Sequence, residues 1–152
     1  MQCEATACVR HGTSLYLTGV GVSSKEVWKW DATFGWGRCA NMISARRRHS
    51  SVFADETWLF VLGGFKSGEI IRDEEMYSVV SNRWTKAGAL ARPVESAGCV
   101  LSRTSIYLFG GVTGTDSNTY DLDCIQVFDT ATECVILEQR LPRPERLLQA
   151  VI

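Results

Sequence analysis

Three apolar stretches, each closed by glycine, recur along this chain at nearly constant intervals, and no other feature constrains the fold as much. They are Ser14-Leu15-Tyr16-Leu17-Thr18-Gly19, Trp58-Leu59-Phe60-Val61-Leu62-Gly63 and Ser105-Ile106-Tyr107-Leu108-Phe109-Gly110. Each sets an aliphatic, an aromatic and another aliphatic residue in the same order. Gly63 and Gly110 are followed by a second glycine and Gly19 by Val20, and the first glycines lie 44 and 47 residues apart. A period of roughly 20–50 residues marks a chain of repeated supersecondary units that bury their faces on one another.

Two further landmarks keep the same period. After each glycine an aromatic opens a short polar stretch that closes six or seven residues later: Trp30 to Trp36, Tyr77 to Trp84, and Phe128 to Cys134 or Val135. The third copy has no Trp at its close. A polar or basic turn then precedes the next cycle, at Met42 to His49, Leu90 to Ser96 and Leu141 to Arg146. Within a cycle, His49–Phe53, Thr57–Leu62, Glu75–Val80 and Arg83–Lys86 are short and rich in β-branched and aromatic residues, which predicts strands. Asp55-Glu56 predicts a tight hairpin between the first two. No stretch sustains a 3.6-residue period, so helix is expected to be scarce. Four short strands in about 45 residues are the footprint of a propeller blade.

The double glycines, the aromatic–Trp pair and the Met-x-x-x-Arg-x-x-His turn of Met42, Arg46 and His49 resemble kelch repeats. The resemblance covers nearly the whole chain, with repeats at about 1–43, 44–90 and 91–142 and the opening of a fourth at 143–152. Repeat two fits best; repeat one lacks the second glycine and repeat three the Trp. The implied fold is all-β, with about three four-stranded antiparallel blades of a kelch-type β-propeller. Three blades fall short of the usual four to eight, so an incomplete ring is expected. It is either part of a longer chain, a short product, or a half that pairs with another copy. The strand-like tail Glu145–Ile152 is a candidate for completing a blade. Trp36, Tyr77 and Trp84 are expected to fill the wedges between blades.

The composition fits such a domain and removes other classes. Of 152 residues, 45% are hydrophobic and 22% charged, as in a folded globular protein. A net charge of −1 argues against nucleic-acid or membrane-surface binding. No apolar run approaches the roughly 20 residues of a membrane helix, and no export signal is visible, so a cytoplasmic location is expected. The six cysteines include no C-x-x-C pair; Cys8, Cys99 and Cys124 sit in apolar runs and read as buried free thiols. Zinc is not expected, and neither is any cofactor. H-E-x-x-H, G-x-S-x-G and P-loop motifs are absent. Copper oxidases built on kelch propellers need several His and Tyr ligands, and this chain has two His, His11 and His49.

Alternating strand directions put the loops after the second and fourth strands of each repeat on one face, where recognition usually lives. Those loops are Gly21–Lys25, Phe65–Asp73 and Val112–Asp121, with Asn41–Arg48, Gly88–Glu95 and Pro142–Arg146. The run Arg46-Arg47-Arg48-His49 is the most pointed candidate, because guanidinium forks suit carboxylates and phosphates. Arg46 and His49 fit the repeat's own pattern, and their bland role is to hold the turn. Arg92 and Glu95 take the corresponding turn of the next repeat. Lys66 and Arg72 are expected to satisfy the acidic run Asp73-Glu74-Glu75. Thr113–Asp121 reads equally as a binding loop or a disordered one. The resemblance implies a protein-interaction module that captures a protein partner, with an acidic peptide segment as the candidate ligand. In relatives with BTB and BACK domains the kelch ring recruits substrates to a cullin-RING ubiquitin ligase. The alternative is an actin-associated or scaffolding role without ligase work.

Overall fold

The computed structural model describes residues 6–21, 25–115 and 117–146. Among them are sixteen β-strands and no helix. Each repeat forms one antiparallel four-stranded sheet with its strands in sequence order. The first sheet is β1 (Ala7–His11), β2 (Ser14–Thr18), β3 (Val27–Asp31) and β4 (Gly35–Arg38). The second is β5 (Ser50–Phe53), β6 (Trp58–Leu62), β9 (Asp73–Ser78) and β10 (Arg83–Ala89), and the third is β11 (Gly98–Ser102), β12 (Ser105–Phe109), β15 (Cys124–Asp129) and β16 (Cys134–Arg140). The fold is thus all-β and built of propeller blades.

The long loop of each double-glycine repeat holds a small hairpin of its own: β7 (Phe65–Lys66) with β8 (Glu69–Ile70), and β13 (Val112–Thr115) with β14 (Asn118–Asp121). The stretch Thr113–Asp121 is therefore a paired ribbon rather than a disordered loop, held by the register Thr113↔Tyr120; Asp116 lies outside the described residues. The hairpin at Asp55-Glu56 is wider than expected, spanning 54–57. Asp55 Oδ1 accepts from the Thr57 and Trp58 amides at 2.6 and 2.9 Å, which turns the chain without a two-residue loop.

Period-two alternation gives each strand two faces, and each blade two flanks. The leading flank faces the preceding blade and the trailing flank the following one. Leu59 and Val61 of the second blade, and Ile106 and Leu108 of the third, point from leading flanks and are at most 1% exposed. Tyr16 of the first blade and Phe60 and Leu62 of the second meet them from trailing flanks. Cross-strand pairing adds Tyr77 (opposite Leu59) and Phe128 (opposite Ile106) to the leading flanks. Tyr77 then lies 6.4 Å from Tyr16, and Phe128 lies 5.8 Å from Phe60, ring to ring. Two apolar wedges form the core, and each buried side chain of this size contributes about 1.5–3 kcal/mol.

Trp84 behaves as the sequence predicts: it packs beside Tyr77 and donates its indole N–H to Ala40 O of the first blade at 2.9 Å. Trp36, at the same place in the first repeat, does not. It pairs with Trp30 across β3–β4 as Trp84 pairs with Tyr77, yet it is 54% exposed. No blade precedes it among the described residues, so its wedge is open. Cys8 is corrected for the same reason. It shares the leading flank with Leu17 and is exposed, whereas Cys99, the matching residue of the third blade, is half-buried and donates to Ser51 O of the second. Cys124 is buried as expected, and Cys3 lies outside the described residues.

The first glycine of each repeat has a positive φ, 72°, 61° and 59° at Gly19, Gly63 and Gly110. A Cβ at Gly63 would lie 2.3 Å from Val94 O, and one at Gly110 2.2 Å from Glu145 O. The connector to the next blade crosses directly over these positions, which is why the repeat places a glycine there.

Candidate functional site

The connectors and the small hairpins meet at one end of the blades. The Arg47 and Phe65 main chains exchange hydrogen bonds of 3.1 and 2.8 Å, and those of Glu95 and Val112 exchange bonds of 3.0 and 2.8 Å. The Ser96 amide also donates to Arg48 O at 2.8 Å, tying one connector to the next. Arg48 and Ser96 occupy equivalent turns with φ of 54° and 56°. The six sequence-chosen candidates are thus gathered on two adjacent connectors, though not all reach the surface.

Arg46 is fully buried and belongs to the scaffold. Its guanidinium donates to Gly63 O at 3.0 Å, Asp73 O at 2.7 Å and Glu75 Oε1 at 2.6 Å. His49 is 6% exposed, with Nε2 2.8 Å from Thr18 Oγ1, and it lies against Gly19. Burial first, and the Arg46 charge second, push its imidazole down to about 3, so the ring is neutral. Glu95 is 7% exposed and pairs with Arg48 at 3.2 Å. These three stand behind the surface, held by internal bonds. Arg48 keeps 45% of its side chain exposed despite that pair. Arg47 is half-buried, with its guanidinium carbon 4.8 Å from the centre of the Phe65 ring, a cation–π contact. Arg92 is exposed.

Beside the connectors, Lys66, Glu69, Arg72 and Pro93 line a shallow cavity of 440 Å³. A second, of 370 Å³, opens between the two small hairpins along Glu69, Ile70, Gly114 and Ser117. This end therefore presents cations interrupted by Glu69 and Asp73, beside two shallow grooves. Guanidinium groups so placed can form charge-assisted hydrogen bonds to carboxylates or phosphates. A roomier cavity of 570 Å³ lies at the other end of the blades, between Ala54, Trp58, Arg103 and Glu133. Among the described residues no group of three or more His, Cys, Asp or Glu side chains is placed to hold a metal ion.

Lys66 and Arg72 do not hold the acidic run as expected. Arg46 takes Glu75, and the Lys66 ammonium donates to Ser44 Oγ at 3.1 Å. Glu75 also accepts from the Ile43 and Ser44 amides at 2.7 and 2.9 Å, latching the first connector to the second blade. Gln126 does the same for the next connector, accepting from the Arg92 amide at 2.8 Å and donating to Arg92 O at 3.2 Å. Sequence reading missed both, although each stands two residues before its repeat's aromatic, Tyr77 or Phe128. Glu74 was missed as well. It is 1% exposed with both carboxyl oxygens unpartnered, and burial, then the Glu133 charge, raise it to about 9.

No protein-family model matches the chain. Among curated proteins it is similar to Kelch-like protein 35 of Mus musculus, 31% identical over 138 residues that make up 90% of this chain and 23% of that protein. It is similar to Kelch repeat and BTB domain-containing protein 4 of Homo sapiens, 31% identical over 97% of this chain and 28% of that protein. Kelch-like protein 25 of Xenopus tropicalis is 27% identical over 98% of this chain and 27% of its own length. The chain thus spans about a quarter of the length of these relatives. The solved structure of YjhT shares the fold, with a TM-score of 0.81 at 16% identity, over 93% of this chain and 53% of that one.

Proposed function

Because this chain is built of kelch repeats, we propose that it is a protein-recognition module that captures an acidic segment of a partner with Arg47, Arg48 and Arg92. The observation that carries the reading is their placement: three arginines from two successive connectors sit at one end of a rigid scaffold, while Arg46 beneath them is bonded away. Arg48 is held by Glu95 yet remains nearly half exposed, so it is oriented before a ligand arrives. Within a longer protein with a BTB region, as the name of one relative describes, this face would recruit substrates to a cullin-RING ubiquitin ligase. The chain acts there as a binder and carries out no chemistry.

The test compares this chain with an R47A/R48A/R92A variant of unchanged β-type circular dichroism in capture from cell lysate. The variant is expected to lose the acidic-segment partners that the parent retains, and the parent's capture should weaken as salt is raised. Equal capture by both chains would exclude this face. The ligase role is tested separately, by asking whether the longer protein co-purifies with a cullin.

A further inference from the structure

The 570 Å³ cavity at the end away from the arginines lies between the second and third blades, so the described chain supplies both of its walls. Trp58, Phe60 and Met76 line it from the second blade, and Arg103 and Glu133 from two turns of the third. The Thr130 amide donates to Thr104 O at 2.9 Å and holds those two turns together. Counted back from Gly19 and Gly63, and across the pairs Tyr16↔Lys29 and Phe60↔Met76, this crevice has a counterpart between the first and second blades. There the chain fills the space with its own basic side chains. Lys29, in the place of Met76, holds its ammonium 5.8 Å from the centre of the Tyr16 ring. His11, in the place of Asp55, stacks on Phe53 with ring centres 4.2 Å apart and sets Nε2 3.2 Å from the Glu56 carboxylate. Asn82 stands in the place of Glu133, with φ of 50° against 55°, and accepts from the Tyr77 hydroxyl and the Ala40 amide at 2.8 Å each.

In the second crevice each of these fillers has changed. Met76 and Asp55 remove the basic groups, while Phe60 keeps the aromatic wall and Trp58, in the place of Ser14, extends it. Phe128 has no hydroxyl to offer in the place of Tyr77, and Glu133 sets a carboxylate where Asn82 is bonded. Neither Glu133 nor Arg103 makes a side-chain hydrogen bond or ion pair with another described residue. Asp55 is already taken by the Thr57 and Trp58 amides. Glu133 is half-buried on the wall, whereas Arg103 stands exposed at the rim, where salt and water screen its charge. On the same face of β9 as Met76, one pair further along, Glu74 is 1% exposed with two unpartnered carboxyl oxygens, and the Glu133 charge acts on it.

We infer that this crevice binds a small organic cation with a flat apolar body, an aryl-alkylamine in chemical class. The body lies against Trp58, Phe60 and Met76. The ammonium takes the place that Lys29 takes in the first crevice, beside an aromatic wall, and pairs with Glu133. A volume of 570 Å³ is in the range that holds such a ligand. The site stands at the opposite end of the blades from Arg47, Arg48 and Arg92 and does not rest on the reading of that face.

Tryptamine and indole-3-acetate share one aromatic body and carry opposite charges, so the pair tests the inference directly. Titrated into the isotope-labelled full chain, tryptamine is expected to shift the backbone amide resonances of residues 130–133 saturably. Indole-3-acetate should bind about tenfold more weakly or worse. E133Q, on a turn, should weaken tryptamine by about tenfold. M76K, which restores the basic group of the first crevice, should abolish the shifts while the spectrum stays dispersed. W58S, the residue of the first crevice, replaces M76K if that variant loses its spectrum, and R47A should bind tryptamine as the parent does. An absence of saturation at about 10 mM tryptamine overturns the inference. So does undiminished binding by E133Q, or a preference for indole-3-acetate, which would assign the crevice to Arg103 instead.

Discussion

Arg46 and His49 show how a residue that a motif marks out can be structural. Arg46 neutralises Glu75 at 0% exposure, so R46A strands a buried carboxylate and should cost about 3–5 kcal/mol in urea unfolding. A double variant, R46M/E75Q, should recover part of that loss because no buried charge is left stranded, although the single Gln carbonyl oxygen can replace only one of the two carboxylate oxygens that accept from the Ile43 and Ser44 amides. Two buried groups pull the pH profile in opposite directions. His49 is depressed in the fold to about 3, so its contribution is fully present above about pH 6.5 and fades as pH falls toward 3. By pH 5 the loss is roughly 2 kcal/mol, and H49Q should flatten that limb. Glu74 is raised to about 9, so the fold holds a proton that the unfolded chain releases above about pH 4.5. Its effect is a decline in stability as pH rises from about 4.5 to 9, and E74Q should remove that decline in thermal melts across this range.

At the scale of the strand and turn, equal positions in different repeats serve as controls for one another. Trp84 is packed and bonded to Ala40, so W84A should cost about 3–5 kcal/mol. W36A, with its indole open to solvent, should change monomer stability by less than about 0.5 kcal/mol. The glycines sort the same way. Gly12 and Gly63 share φ near 60°, but a Cβ meets nothing within 4 Å at Gly12 and the Val94 carbonyl at 2.3 Å at Gly63. G12A should cost about 1–2 kcal/mol, the strain of the left-handed conformation alone, and G63A clearly more, because the connector above it must move. Denaturant melts of the four variants check both pairs. The elements themselves were legible from alternation and glycine spacing, as β6 and β9 show, with boundaries within two residues. The small hairpins were not, because two-residue strands such as Phe65–Lys66 are too short to show a period.

Across the whole molecule, the sequence by itself determined the repeat, the strands in each blade and which face of each strand is apolar, since these follow from spacing along the chain. It also marked the Arg46–His49 turn as special and placed both sets of loops at one end. Only the tertiary structure decided which of those faces is covered. Leu15 and Leu59 have the same pattern around them and opposite exposures, and Trp36 is exposed where Trp84 is half-buried, because burial depends on a neighbouring blade and not on the residue's own strand. Likewise, the repeat pattern suggested that Arg46 and His49 hold the turn, but it did not show which groups they hold it with. The partners that draw them in, Glu75 and Thr18, stand 29 and 31 residues away, and only the packing of one blade on the next brings them within hydrogen-bond reach.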